Sequence, residues 1–168
     1  VGGLNTDLLF CQSAEDAEDA VAEGIAHVSR VVAIGNGVDI ARFNPNTIDG
    51  TARVPLGIPN EAFVVGLIGR QVREKGVVEF LQAAISLADE FPYLWVLLVG
   101  DRLPSDHAED VEADFVEARR VLGHQLVALG LRDDIPQLLA AMDLFCLPSW
   151  REGMPRTIIE AMMMAKPV

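Results

Sequence analysis

The chain reads as an α/β protein, a parallel sheet with helices on both faces, and three observations predict it. From Phe63 onward, apolar β-like runs alternate with helical patterns, as strands joined by crossover helices do. Each run has the length its element needs. The helical stretches also repeat apolar residues at spacings of three and four, which gives them one face to lay on a sheet.

In order, the spacing predicts a strand at residues 63–68, a helix at 76–91, a strand at 95–99 and a helix at 106–122. A short strand at 126–129, a helix at 135–142, a strand at 144–147 and a helix at 156–165 follow. In the first helix Val77, Val78, Leu81, Ala84, Ile85 and Ala88 form the apolar face, and Pro92 stops it. The second carries Asp106, Glu109, Asp110, Glu112, Asp114 and Glu117, which read as a solvated outer surface with charges suited to a helix N-terminus. Met162, Met163 and Met164 read as fillers of core gaps.

Residues 1–50 stand outside this rhythm. They read as a strand at 8–12, a helix capped near Ser13 and running over 14–23, and a strand at 30–34, followed by the loop Gly35-Asn36-Gly37-Val38-Asp39. Pro45, Pro55, Gly57 and Pro59 then make an extended connection of the kind that links domains.

With 168 residues the chain has room for one ordinary domain. Half of it is hydrophobic (51%) and 23% is charged, which places it among globular chains and excludes a disordered one. Its apolar runs fall far short of the ~20 residues of a membrane-spanning helix. The formal net charge of −12 repels nucleic acid, so no nucleic-acid partner is expected and any phosphate must be held by a few local cations. Cys11 and Cys146 lie in apolar strand-like segments, where cysteine packs as a small hydrophobe, so a cytoplasmic location is expected and a disulfide is not. His27, His107 and His124 lack the spacing of a metal site.

Two clusters carry chemistry. Gly66-Leu67-Ile68-Gly69-Arg70 ends the first strand of the alternating region, and Lys75-Gly76 opens the next helix. Ligands of open α/β sheets bind at the carboxyl ends of strands, beside helix N-termini, so Arg70 and Lys75 are placed for a diphosphate. Both equally suit ordinary surface charges. The glycines do not make the three-glycine dinucleotide fingerprint. The second cluster runs from Pro148 through Glu152, Gly153, Met154 and Pro155 to Glu160. Glu152 falls on the loop and Glu160 on an apolar helix, where a carboxylate needs a partner: a ribose diol, or a cap or ion pair within the protein.

Several stretches also stand in a distinctive order: Asn36-Gly37-Val38-Asp39 with Phe43 and Pro45, Gly69-Arg70 with Glu74-Lys75-Gly76, Val99-Gly100-Asp101, Asp133-Asp134, and Pro148-Ser149 with Glu152-Gly153 and Glu160. In this ordered set the chain resembles the retaining glycosyltransferases of family four, the glycosyl transferases group one with the GT-B fold, along essentially its whole length. The resemblance implies a C-terminal, donor-binding, Rossmann-like half of that fold. Residues 1–40 would be the tail of an N-terminal acceptor domain, 41–62 the inter-domain linker, and 63–168 a nucleotide-sugar-binding domain incomplete at its C-terminus.

It further implies an enzyme moving a sugar from a nucleotide-diphosphate donor to an acceptor hydroxyl with retention, the piece alone being inactive. Arg70 and Lys75 would meet the diphosphate, and with Glu152 they are the catalytic candidates. Gly153 and Met154 would offer amides, Glu152 would bind sugar hydroxyls, Glu160 the ribose, and Leu131 and Arg132 would lie at the base. Many relatives have a second glycine where Pro155 stands, so one amide is missing here. No metal or other cofactor is expected. The acceptor would be held by the N-terminal domain, peripheral membrane contact of the parent stays open, and the first forty residues are expected to carry unpaired strands at 8–10 and 31–34 prone to self-association. The rival readings are a nucleotide-sugar-binding module without activity and a GT-B-shaped epimerase. A phosphorylase would need a lysine-bound cofactor, and only Lys75 and Lys166 exist.

Overall fold

A computed structural model describes residues 6–48, 51–104, 106 and 111–168. The chain divides into two compact units, Val1–Val38 with Glu152–Arg156 and Asp39–Arg151 with Thr157–Val168.

In the first unit β1 (Leu9–Cys11), α1 (Ala14–Ala22) and β2 (Val31–Ala33) form a β-α-β unit. Ser13 caps α1 as its sequence suggests, its Oγ accepting from the Asp16 N–H at 2.9 Å. The expectation of unpaired strands is corrected: β1 and β2 pair in parallel with each other, Leu9 opposite Val31 and Cys11 opposite Ala33. The helix between them closes the crossover within thirty residues, so the backbone groups find partners locally. Phe10, Val32 and Ile34 nevertheless remain exposed.

The second unit holds a four-stranded parallel sheet in the order β5-β4-β3-β6, built from β3 (Phe63–Ile68), β4 (Leu94–Val99), β5 (Leu126–Ala128) and β6 (Leu144–Phe145). All six residues of β4 are buried, as expected of a parallel strand covered on both faces. α2 (Val77–Leu87) and α3 (Glu112–Leu122) pack one apolar layer, where Val77, Leu81, Phe115, Ala118 and Leu122 meet Leu67, Val96, Leu98 and Leu126. The chain then returns through α4 (Ile135–Ala141) to place β6 on the far side of β3, and α5 (Arg156–Met163) follows. A right-handed return puts α4 on the opposite face from α2 and α3. Sheet order therefore reverses beside β3, and the loops after β3 and β6 adjoin at this switch point.

Element identities match the expectations, and bounds differ by a few residues. The helix expected at 106–122 is described from Glu112; Asp106 precedes it in an irregular loop, and 107–110, with Glu109 and Asp110, lie outside the described residues. Of Met162, Met163 and Met164 only Met164 is buried, while Met162 and Met163, at the end of α5, are exposed.

Candidate functional site

At the carboxyl edge of the sheet, backbone bonds tie the strand ends together. Gly69 N–H donates to Val99 C=O at 2.9 Å, and Gly100 N–H donates to Gly130 C=O at 2.7 Å. Gly100 sits at φ +124, and a Cβ there would lie 2.0 Å from Gly69 O. Only glycine permits that approach. Gln71 adds a bond from Nε2 to Gly100 C=O at 2.7 Å.

These ends line a cavity of about 160 Å³ formed by Ile68, Gly69, Arg70, Gly100, Leu131 and Arg132 with their neighbours. The fold thus brings together three predicted site residues, Arg70, Leu131 and Arg132. The space is below the ~300 Å³ at which complete small-molecule sites begin, so by itself it is too small to enclose a whole nucleotide-sized molecule. Leu131 is 69% exposed, an apolar side chain held out at the edge. Arg132 is tied down: its Nε and Nη2 donate to the two carboxylate oxygens of Asp134 at 2.7 and 2.6 Å. The Arg132 guanidinium holds the Asp134 carboxyl below the usual carboxylate range. Arg70 forms an ion pair with Asp106 through Nη1. Asp106 is a residue that the sequence named only for a solvated helix face.

Lys75 lies at the end of a short 3₁₀ turn, Arg73–Lys75, between β3 and α2. That turn is braced by the loop after β6. Glu74 C=O accepts from both Ser149 Oγ and Trp150 N–H, each at 3.0 Å. The Trp150 indole N–H donates to Glu79 Oε1 at 3.0 Å. The switch-point loops are thereby joined, a relationship carried by Ser149, Trp150 and Glu79 that periodicity could not reveal. The dipeptide Pro148-Ser149 in the ordered motif set was its only trace.

Glu160 lies on α5 and is the one charged residue among the described residues that is buried, at 9% exposure. This agrees with a carboxylate that needs partners on an apolar helix. Glu152, Gly153 and Met154 group with the first unit. There Met154 is held by Asn36, whose Nδ2 donates to Met154 C=O at 2.5 Å and whose N–H points to Met154 Sδ at 3.2 Å. The Asn36 side chain thus fixes the backbone of the turn that carries Glu152 and Gly153.

Among the described residues no helix is long and apolar enough to cross a membrane. Cys11 and Cys146 are both free thiols, and burial pushes the Cys146 thiol above its ordinary pKa.

The family model for Glycosyl transferases group 1 matches residues 49–168. The chain is 34% identical over 160 residues to the UDP-Gal:alpha-D-GlcNAc-diphosphoundecaprenol alpha-1,3-galactosyltransferase of Escherichia coli, covering 93% of this chain and 40% of that protein. It is 31% identical over 171 residues to the D-inositol 3-phosphate glycosyltransferase of Corynebacterium urealyticum, covering 98% of this chain and 40% of that one. The structure of Anabaena Alr3699/HepE in complex with UDP-glucose matches with a TM-score of 0.78 at 30% identity, over 96% of this chain and 44% of the other. The chain spans about two fifths of the length of these curated relatives.

Proposed function

We propose, from the premise that this chain belongs to the glycosyl transferases group 1 family, that the full-length protein moves a sugar from a nucleoside-diphosphate donor to an acceptor hydroxyl with retention of configuration. The chain supplies the donor-binding part, and the acceptor is held outside it. The observation that carries this reading is the cavity at the carboxyl ends of the parallel strands, where Arg70, Leu131 and Arg132 converge. The Anabaena protein that shares this fold is bound to UDP-glucose, which favours a uridine diphosphate donor here.

In this reading Arg70 and Lys75 take the diphosphate oxygens and stabilise the charge that develops on the leaving group. Cations of the chain do this without a metal or other cofactor. Glu152 orients the sugar through its hydroxyls, and the Gly153 and Met154 amides support the same end. Glu160 accepts from the ribose. Leu131 offers its exposed side chain to the base, while Arg132 shapes the cavity from its fixed position on Asp134. Catalysis is then positioning and electrostatics. The reaction is assigned to the cytoplasm, where nucleotide-activated donors are supplied.

Calorimetry of the full-length protein with UDP, GDP and ADP tests the donor class, with UDP expected to bind tightest. Transfer from the matching donor sugars, with the anomeric configuration of the first-formed product read by NMR, tests the reaction. Inversion, or donor hydrolysis without transfer to any hydroxyl, rejects the proposed outcome.

A further inference from the structure

Arg70, assigned above to the diphosphate, already has an anion on it. Its Nη1 is paired with the Asp106 carboxylate. That carboxylate is held independently of the arginine, since Asp106 Oδ2 accepts from Leu103 N–H at 2.8 Å, while the Asp106 backbone carbonyl accepts from Arg102 Nη2 at 3.4 Å. The Asp106 side chain is 5% exposed, against 44% for Arg70. The partner with the less exposed side chain is thus the anchored one, and the arginine is the member of the pair with room to turn.

We propose that Asp106 is a positioning residue that parks Arg70 as an internal stand-in for the donor's phosphate and thereby sets how tightly a nucleoside diphosphate is held. A guanidinium directs its N–H groups to carboxylate and phosphate oxygens in the same planar geometry. Diphosphate binding then exchanges one anion for another on Arg70, or adds a second anion beside the first. Either way the Asp106 charge opposes the ligand, and the −12 net charge of the chain offers little long-range attraction to offset it. The consequence is a donor, and a diphosphate product, held more weakly than the cations alone would hold them.

This inference rests on the assignment of Arg70 to the diphosphate, and the test separates the two. UDP affinity is measured by calorimetry in the full-length protein for Asp106→Asn, Arg70→Ala and the double variant, with thermal unfolding of each and steady-state KM and kcat for the donor. Asparagine keeps the shape and can still accept from Leu103 N–H, so the loop has a conservative replacement. Asp106→Asn is expected to tighten UDP by about three- to tenfold, the scale of one charge-assisted hydrogen bond shared between two anions. Donor KM falls in step and kcat does not rise. The gain is expected to vanish in the double variant, which matches Arg70→Ala. A merely structural Asp106 would lower the unfolding temperature and weaken or leave unchanged the binding of UDP, and that overturns the inference. A gain that survives loss of Arg70 also overturns it. If Arg70→Ala binds UDP as tightly as the parent, the assignment of Arg70 itself fails, and the inference falls with it.

Discussion

Gly76 and Pro148 approach so closely that a Cβ on the glycine would lie 2.0 Å from the proline carbonyl oxygen, and Gly76 holds a left-handed φ of +71. The 3₁₀ turn that carries Lys75 and the loop that leads to Glu152 touch at this point, backbone against backbone. Gly76→Ala is expected to destabilise the fold by about 2–4 kcal/mol, the sum of left-handed strain and an overpacked contact. Urea denaturation measures it. An unchanged midpoint would mean that the two loops are not held together here.

Lys75→Ala and Arg70→Ala are each expected to weaken UDP binding by about 1.5–3 kcal/mol, as loss of a hydrogen bond to a charged group does. Arg70→Lys should also lose affinity, since an ammonium cannot reproduce the two-pronged grip of a guanidinium. Calorimetry on the full-length protein reads all three.

Glu160→Gln is expected to act on the nucleoside end. UDP should weaken by roughly tenfold, one hydrogen bond to a charged group, while inorganic diphosphate binds as before. Weakened diphosphate with intact uridine binding would reverse the assignment of the two ends.

Trp150→Phe removes the indole donor to Glu79 and keeps an aromatic ring. The lost bond is exposed, so the expected cost in stability is small, about 0.5–1 kcal/mol. Donor KM should rise more than stability falls, because the loop after β6 then braces the turn ahead of Lys75 only through Trp150 N–H and Ser149 Oγ on Glu74 C=O, without the indole anchor on Glu79. A thermal melt beside a donor titration checks the two effects separately.

Burial pushes the Lys166 ammonium below its ordinary value of 10.5, opposed by the nearby Asp143 carboxylate. Its Nζ donates to Ala140 and Met142 C=O at 3.1 and 2.8 Å. Between the lowered folded value and 10.5 the unfolded chain binds more protons, so the contribution of this group to stability rises with pH through that window. Denaturation midpoints at stepped pH should show this slope flattened in Lys166→Met, measured relative to that variant's own value at neutral pH.

Much of the fold was legible because periodicity is local. The six-residue strand Phe63–Ile68 and the face of Val77, Leu81 and Ala84 are set by residues within a turn or two of each other. The pairing of β1 with β2 is not legible although both strands are, since the period of a strand says nothing about its partner. The candidate site divides in the same way. Gly69-Arg70 and Lys75-Gly76 announce themselves as a loop between a strand and a helix. Asp106 on Arg70, Asp134 on Arg132 and Asn36 on Met154 do not.

By itself the sequence determined which residues form strands and helices and which loops carry cations and carboxylates, because those choices follow from side-chain spacing and backbone preference over a few residues. Only the tertiary structure decided that β6 returns to lie beside β3, which joins Glu74 to Ser149 and Trp150 across some seventy-five residues. It also decided that Arg70 meets an anchored carboxylate in the next loop. Such pairings depend on sheet order and on where buried polar groups find partners, and both are fixed when distant segments pack together and water is excluded.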